Sequence, residues 1–541
     1  MSKKRVAVIG AGASGLTAIK CCLDEDLVPV CFEKSHDIGG LWRFEEDTKE
    51  GATVYRSTFI NTSKELMSFS DFPLPKEAPN YMHHSKVMQY YRDYANRSML
   101  LKYIKFRILV CNQFEKETDN AIYAQWRVKT RNILNDEINE EIFDFVLVAV
   151  GHHASPHFPL SQFPGADKFQ GRILHSHDYR DFKGFENKKV VVLGMGNSGG
   201  DIAVELSWHA KQVFLSTRRG SWVFNRVGPH GYPIDFLITT RYQNLLDWLI
   251  PKSITQKAVE KMLTEKLDHA HYGLKPEHGP FNQHPFVNDE LPNRIIIGSI
   301  VIKSNIRSFK ERSVVFDDGT EEEADVVIFA TGFVFEFPFL HESIAHVNGT
   351  DAQLYKYMWP LSMKRNTLAI IGHVQVLGAV NPVSEMQCRW ATRVFKDIVQ
   401  LPSDREMIKD IDKKRKAMKR KYYNSQRHTI EVPHIDYMDE IALKIGVKPN
   451  LFSLFFTDYQ LAKKIFYEIS SAYQYRLVGA GRWEGARRAI MEQKQRMLHP
   501  LHTRPLPNKT IKGKKRPVLI RRFLWVVVLS MASYYAYTRY K

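Results

Sequence analysis

Cysteine is scarce in this chain. Five occur among 541 residues: Cys21, Cys22, Cys31, Cys111 and Cys388. Their odd number and irregular spacing exclude a disulfide framework and a structural zinc pattern. All five read as reduced, the state of a protein facing the cytosol. No apolar segment precedes the first strand-like run, so a cleaved secretory signal is not expected. Acidic residues are the minority, 59 against 77 lysines and arginines, giving a net charge of +18. Such an excess suits nucleic acid, an anionic membrane or anionic ligands. No nucleic-acid-binding motif occurs, and no such partner is expected. The pairs His83-His84 and His152-His153 lack an evident third ligand, and neighbours on a strand point to opposite faces, so no metal is assigned. What remains is an ordinary globular composition, 44% hydrophobic and 25% charged, with length for more than two domains.

Glycine carries the pattern. Val6 to Gly15 reads V-A-V-I-G-A-G-A-S-G, and Val190 to Gly199 reads V-V-V-L-G-M-G-N-S-G. Each is an apolar run followed at once by G-x-G-x-x-G and then a helical pattern, which is the context of a dinucleotide phosphate site. In the first, Gly10 makes a tight turn, Gly12 lets the backbone approach a pyrophosphate, and Gly15 lets the helix pack on the strand. The helix N-terminus offers free N–H groups to the phosphates. Leu16, Ile19 and Leu23 mark its packing face, and a second strand, Val28 to Phe32, ends in Glu33, placed to bind a ribose.

The second fingerprint differs at that end. After Gly199 a helix is expected from Asp201 to Trp208, then a strand from Gln212 to Thr217, followed by Arg218 and Arg219 instead of an acid. Guanidinium welcomes a 2′-phosphate that a carboxylate repels. The second site therefore reads as an NADPH site, and the pair as a flavin enzyme fed by a nicotinamide. A flavin disulfide reductase has two such sites as well, but it needs a C-x-x-C or C-x4-C pair, and Cys21 and Cys22 are adjacent. A non-catalytic scaffold fits poorly with intact glycines, Glu33 and both arginines.

The expected class is α/β, with two Rossmann-like domains nested in one chain. The layout is a first FAD-binding part over 1–164, an NADPH-binding domain over 165–331 with an insertion at about 230–300, and a second FAD-binding part over 332–445. A helical region over 446–510 and a basic linker with a membrane anchor over 511–541 complete it. The strands ending at Gly151 and Gly332 mark the crossings between domains. Helices are expected over 384–401 and 403–422, the second solvated, and a packing helix over 451–470. Phe523 to Tyr537 is apolar and follows Lys512, Lys514, Lys515, Arg516, Arg521 and Arg522. It is shorter than the about 20 residues of a spanning helix. Either it spans with snorkelling flanks or it lies in the interface, where Trp525 and its tyrosines suit the headgroups.

Phe169 to Tyr179 fits F-x-G-x-x-x-H-x-x-x-Y, which resembles the identifying sequence of the flavin-containing monooxygenases and their Baeyer–Villiger relatives. Gly39-Gly40-Leu41-Trp42, Asn61 to Glu65, Asn288 to Pro292, Phe329 to Gly332 and Arg482 to Arg487 extend the resemblance over essentially the whole chain. It is closest to the membrane-bound, drug-metabolising vertebrate type. That resemblance implies FAD held by Gly10, Ala11, Gly12, Ala13, Ser14, Gly15, Glu33, Gly40, Leu41 and Trp42. It implies NADPH held by Gly194, Gly196, Asn197, Ser198, Gly199, Gly200, Asp201, Thr217, Arg218 and Arg219. Asn61 and Thr62 are implied beside the flavin ring, Asn61 as the catalytic residue, with Gln375 also at the cofactor and His175 and Tyr179 at the domain hinge. Phe333 and His373 depart from the family pattern. The implied reaction is oxygenation by NADPH and O2 through a C4a-hydroperoxyflavin, on small lipophilic nitrogen or sulfur nucleophiles, with Baeyer–Villiger oxidation of ketones or uncoupled release of H2O2 as the alternatives. The implied location is the endoplasmic reticulum membrane, with the catalytic part in the cytosol. Homo-oligomerisation is left open.

Overall fold

The computed structural model describes residues 3–47, 51–111, 115–117, 125–341, 344, 347–348, 351–361, 363, 365–421 and 430–504. Two five-stranded parallel sheets organise them. Strands β1 (Arg5–Ile9), β2 (Val28–Glu33), β3 (Ile104–Phe106) and β4 (Phe145–Val148) belong to the first. Strands β5 (Arg172–His175), β6 (Lys189–Leu193), β7 (Gln212–Ser216), β8 (Ile300–Lys303) and β9 (Val326–Phe329) make the second, in the order β5-β9-β6-β7-β8. The chain then returns: β10 (Leu368–Ile370) pairs with β4, so the first sheet runs β10-β4-β1-β2-β3. Segments before and after the second sheet thus build one layer together.

The central strands are apolar on both faces because both faces are covered. Val6, Ala7 and Val8 are fully buried, as are Val190, Val191 and Val192. On one side of the first sheet helix α1 (Ala13–Asp24) packs on the long buried helix α3 (Val380–Phe395), where Thr17 Oγ1 lies 3.6 Å from Cys388 Sγ. On the other, an antiparallel layer that includes Gln125–Asn132 and Ile138–Phe143 presses Trp126, Val128 and Phe143 onto Ala7, Ile9 and Phe32. Helix α2 (Asn197–Leu206) packs in the second sheet's core through Ile202, Ala203 and Leu206.

Several element boundaries differ from the sequence expectation. Helix α2 begins at Asn197, not Asp201, because Gly196 is extended and Gly199 and Gly200 already lie in its first turns; Trp208 is exposed beyond its end. Helix α3 begins at Val380 rather than Ser384, since Pro382 sits in the first turn, where no helical N–H partner is lost. It stops at Phe395, just before the left-handed Asp397. The single packing helix over 451–470 is two helices, Leu451–Thr457 and Tyr459–Tyr467. They break at Asp458, whose carboxylate accepts from the Leu461 N–H (3.1 Å). Of these, Leu461, Ala462, Ile465 and Phe466 in the second are buried. The basic helix Asp404–Lys421 is not wholly solvated: Lys414 pairs with Glu440 at 3.2 Å. Between β7 and β8 lie the helices Ile234–Ile238, Arg241–Leu249 and Lys252–Lys266.

The histidine pairs are not on strands. His83 caps the helix His84–Arg97, and the two rings stand 4.1 Å apart; those of His152 and His153 stand 4.2 Å apart. The opposite-face argument therefore does not apply to them, and burial holds His153 down to about 4. All five cysteines are free thiols. The tail and its expected anchor at Phe523 to Tyr537 lie outside the described residues. Among the described residues, no helix is long and apolar enough to cross a membrane.

Candidate functional site

The two glycine turns are built alike. A Cβ on Gly10 would stand 2.8 Å from the Ala149 carbonyl oxygen, and one on Gly194 would stand 2.5 Å from that of Ala330. Both residues have left-handed backbones, with φ of +96° and +110°. A Cβ on Gly15 would stand 1.8 Å from the Gly10 oxygen, and one on Gly199 2.0 Å from the Gly194 oxygen. These four positions are glycine because the protein's own backbone fills the space. The middle glycines are different. A Cβ on Gly12 would meet nothing nearer than the Gly40 Cα at 3.7 Å, and one on Gly196 would meet nothing within 4 Å. Internal packing does not require glycine there. The space in front of each helix N-terminus suits a group bound close to the backbone, so both turns fit a dinucleotide pyrophosphate.

The ends of the neighbouring strands set opposite charges. Glu33 is buried at the end of β2, where it accepts from the Ala11 N–H (2.7 Å) and the Ser35 N–H (2.9 Å). The turn Gly40–Trp42 closes over the same loop, with the Gly39 N–H bonded to the Ala11 carbonyl (3.0 Å). Leu41 and Trp42 are half-buried there. Ala13 packs on the adjoining core. Ser14 meets Ser384 at 3.0 Å and occupies the place that a Cβ on Gly372 would need, 2.4 Å away. Beyond β7, Arg218 and Arg219 are exposed on the wall of a cavity of about 1140 Å³, with Thr217, Tyr272, Lys275 and His278. Thr217 Oγ1 accepts from the Gly220 N–H (3.0 Å) and shapes the turn that carries the arginines.

Between the sheets, the loop 54–63 is tied to the second half. The Asn61 side-chain oxygen accepts from Arg226 Nη2 (2.7 Å), and the Arg226 N–H is held by Asp289 (3.0 Å). Asn61 and Thr62 are both half-buried. The Ser63 N–H donates to Asp235 (2.6 Å), whose carboxyl burial raises to about 6. Tyr55 donates to Asp201 (2.8 Å), and Ser57 and Tyr179 both donate to Glu205 (2.7 and 2.9 Å). His175 is buried and held down to about 4 by that burial; it accepts from the His177 N–H (3.0 Å).

Three residues expected at the nicotinamide cofactor have their side-chain positions taken up by protein. The Asn197 oxygen accepts from the Val287 N–H (2.9 Å), Asp201 also accepts from Asn288 (2.8 Å), and a Cβ on Gly200 would stand 2.2 Å from the Phe286 ring. All three receive the segment 285–288 of the insertion. Ser198, half-buried on the first turn of α2, has no such engagement among the described residues. Gln375 sits on the short strand Gln375–Leu377, paired in parallel with Glu431–Pro433, three residues past Gly372. No hydrogen bond joins it to Asn61. Phe333 stacks edge-on with His153, His175 and His177 (5.2 to 6.2 Å). His373 is 2% exposed among Phe335 and Phe337, neither ring nitrogen has a hydrogen-bond partner, and burial lowers it to about 4.

Sequence reasoning did not find Arg226, Asp235, Asp289 or Tyr55. Asn288 and Asp289 lie in a motif that it did single out, without a role.

The family described as Flavin-binding monooxygenase-like matches residues 3–537. The chain is 51% identical over 506 residues to flavin-containing monooxygenase 5 of Cavia porcellus, covering 93% of this chain and 94% of the relative. It is 46% identical over 509 residues to dimethylaniline monooxygenase [N-oxide-forming] 2 of Pan troglodytes, covering 94% and 95%. Among solved structures, S-allyl-L-cysteine S-oxygenase from Allium sativum superposes with a TM-score of 0.62 at 23% identity, over 86% of this chain and 93% of that one.

Proposed function

The chain belongs to the flavin-binding monooxygenase family, and on that premise we propose that its first cradle holds FAD, its second NADPH, and that it oxygenates soft nitrogen and sulfur nucleophiles with O2. The observation that carries this is the pair of open middle glycines, Gly12 and Gly196, flanked by a buried acid in one case and two exposed arginines in the other. When bound, the nicotinamide supplies reducing equivalents and the flavin the oxygen-activating chemistry.

The protein's own part is orientation and dryness. Glu33 is placed to accept from a ribose hydroxyl, and Arg218 and Arg219 to clamp a 2′-phosphate. Asn61 uses its oxygen on Arg226, which leaves its amide N–H groups as the donors it can offer a bound cofactor. Such an amide does not titrate, so it orients without moving a proton. Arg226, Asp235 and Asp289 position that loop. The segment 285–288, seated on Asn197, Gly200 and Asp201, covers the start of α2 and helps to exclude water, whose entry wastes the activated oxygen. In this reading those three residues hold the insertion, and their contact with the cofactor is through backbone.

Purified protein is expected to be yellow and to consume NADPH only with O2 present. Product analysis with a tertiary amine, a thioether and a ketone, alongside H2O2 accounting, tests the reaction. Ester from the ketone with neither N-oxide nor sulfoxide would overturn the assignment in favour of Baeyer–Villiger oxidation. The basic, apolar tail is proposed to hold the protein on the cytosolic face of the endoplasmic reticulum membrane. A chain truncated after Leu506 that still pellets with membranes would refute the tail as sole anchor.

A further inference from the structure

Each cradle belongs to its own sheet, so a further element must fix how the two face each other. The loop 54–60 is fastened at both ends. Its later part is held by the first half of the chain. The His84 N–H donates to the Thr58 carbonyl (3.0 Å), the Ile60 N–H to the Met82 carbonyl (2.9 Å), and Phe59 forms a β-bridge with His83. Ile60 and Met82 are buried in the core that also takes Ala11 and Leu16 from the first turn and its helix.

The earlier part of the loop grips the second half. Asp201 and Glu205 stand one turn apart on α2, at i and i+4, and share a face. The Tyr55 hydroxyl donates to Asp201 (2.8 Å) and the Ser57 hydroxyl to Glu205 (2.7 Å). A turn closed by the Thr58 N–H on the Tyr55 carbonyl (3.0 Å) brings both donors to that face. The Tyr55 ring packs on the second core, edge-on to Tyr179 at 6.1 Å. Burial and then the Asp201 charge push its hydroxyl upward, so it stays a donor. Each carboxylate is also held from a second side: Asp201 accepts from Asn288 (2.8 Å) and Glu205 from Tyr179 (2.9 Å).

The other ties of this loop reach different elements. Arg226 and Asp235, which hold Asn61 and Ser63, lie on the segment after β7. Arg56 meets Asp181 (3.1 Å) and the Arg180 carbonyl (2.8 Å), between β5 and β6. Tyr55 and Ser57 hold α2 itself, the helix that the open Gly196 turn leads into.

We propose that Tyr55 and Ser57 are positioning residues, which set a nicotinamide cofactor seated on α2 against the flavin for hydride transfer. This rests on the reading of the two turns as flavin and nicotinamide cradles. In that step a C–H bond of the reduced nicotinamide breaks. Its hydrogen passes with both electrons to the flavin, leaving an oxidised nicotinamide and a reduced, anionic flavin. The reacting atoms must approach to about 3–3.5 Å, and a misplacement of about 1 Å costs roughly 100-fold in rate. Neither hydroxyl is spent on a cofactor, so affinity and rate should separate.

The test uses the flavin-loaded, full-length protein and the double variant Tyr55→Phe, Ser57→Ala, which removes both hydroxyls and keeps the ring. NADP+ is titrated into the oxidised protein. Calorimetry reads its affinity, and the flavin difference spectrum reads where the nicotinamide sits. Rapid mixing with NADPH in the absence of O2 reads flavin reduction. In the double variant the Kd for NADP+ is expected to stay within about threefold of wild type, the spectral amplitude at saturation to fall by about half or more, and reduction at saturating NADPH to slow roughly 10- to 100-fold. The single variants Tyr55→Phe and Ser57→Ala carry the same test with smaller effects. A wild-type rate of reduction, or slow reduction with an unaltered spectrum, overturns the proposal. So does a larger loss of NADP+ affinity, which would make the two residues part of the binding site. Wild-type protein whose flavin NADPH does not reduce would refute the two-cofactor reading itself, and the proposal with it.

Discussion

Two glycines three residues apart in the second fingerprint, Gly196 and Gly199, should fail in opposite ways when replaced by alanine. At Gly196 the backbone is extended, with φ −98° and ψ −176°, and nothing lies within 4 Å of the added Cβ. Alanine adopts that conformation without strain, and restricting the unfolded chain stabilises such a site by about 0.4–1 kcal/mol. The apoprotein should therefore melt at or slightly above the wild-type temperature. The methyl instead stands where the pyrophosphate must approach. Displacing the phosphates costs one charge-assisted N–H contact, about 1.5–3 kcal/mol, so NADP+ should bind roughly 10- to 100-fold more weakly. At Gly199 the Cβ falls 2.0 Å from the Gly194 oxygen and 3.1 Å from the Ala330 Cβ. Neither the turn nor β9 can yield without moving the sheet, and the cost should be about 3 kcal/mol or more. Thermal unfolding of the apoproteins and calorimetric titration with NADP+ read the two effects separately. A Gly196→Ala protein that binds NADP+ like wild type would place the pyrophosphate elsewhere. A Gly199→Ala protein with unchanged melting would refute the packing argument.

Three further outcomes are expected. Replacing Arg218 and Arg219 together with alanine should raise the KM for NADPH by roughly 10- to 100-fold and leave that for NADH nearly unchanged; steady-state kinetics with both coenzymes decide, and equal effects would remove the arginines from the 2′-phosphate. Asn61→Ser should keep the rate of flavin reduction but raise H2O2 released per NADPH, and Arg226→Met should do the same through the lost 2.7 Å contact; unchanged coupling in both would take Asn61 out of the site. Asp235 concerns pH. Its folded-state value of about 6 exceeds the ordinary 3.8, so the folded protein binds more protons between those values and stability falls as pH rises through them. The shift corresponds to about 3 kcal/mol. Asp235→Asn, which cannot ionise, should therefore gain on wild type from pH 4 to pH 7 in urea unfolding, and parallel curves would refute a buried, ionising carboxylate.

How much was legible in advance depended on the distance along the chain over which each feature is encoded. Strand, turn and helix at Val6 to Asp24 follow from apolar runs and glycines within about twenty residues, and the Glu33 and Arg218-Arg219 contrast follows from strand ends. Helix starts were misplaced where the signal was ambiguous. Both α2 and α3 start four residues before the expected positions, because glycine and proline carry no helix-forming signal yet fit in a first turn. The contacts that hold the loop at Asn61 had no local signal. Asn61 and Arg226 are 165 residues apart, and Ser63 and Asp235 are 172 apart.

The amino-acid order by itself determined two glycine turns, the opposite charges that follow their neighbouring strands and the helical insertion, because backbone conformation and hydrophobic period are local properties. Only the tertiary structure decided which glycines the protein needs for its own packing and which it leaves open. Only the tertiary structure showed that Asn197, Gly200 and Asp201 seat the insertion, and that Arg226 reaches Asn61. Those choices depend on which side chains meet when distant segments pack, and pairing between segments so far apart along the chain leaves no period or spacing to read.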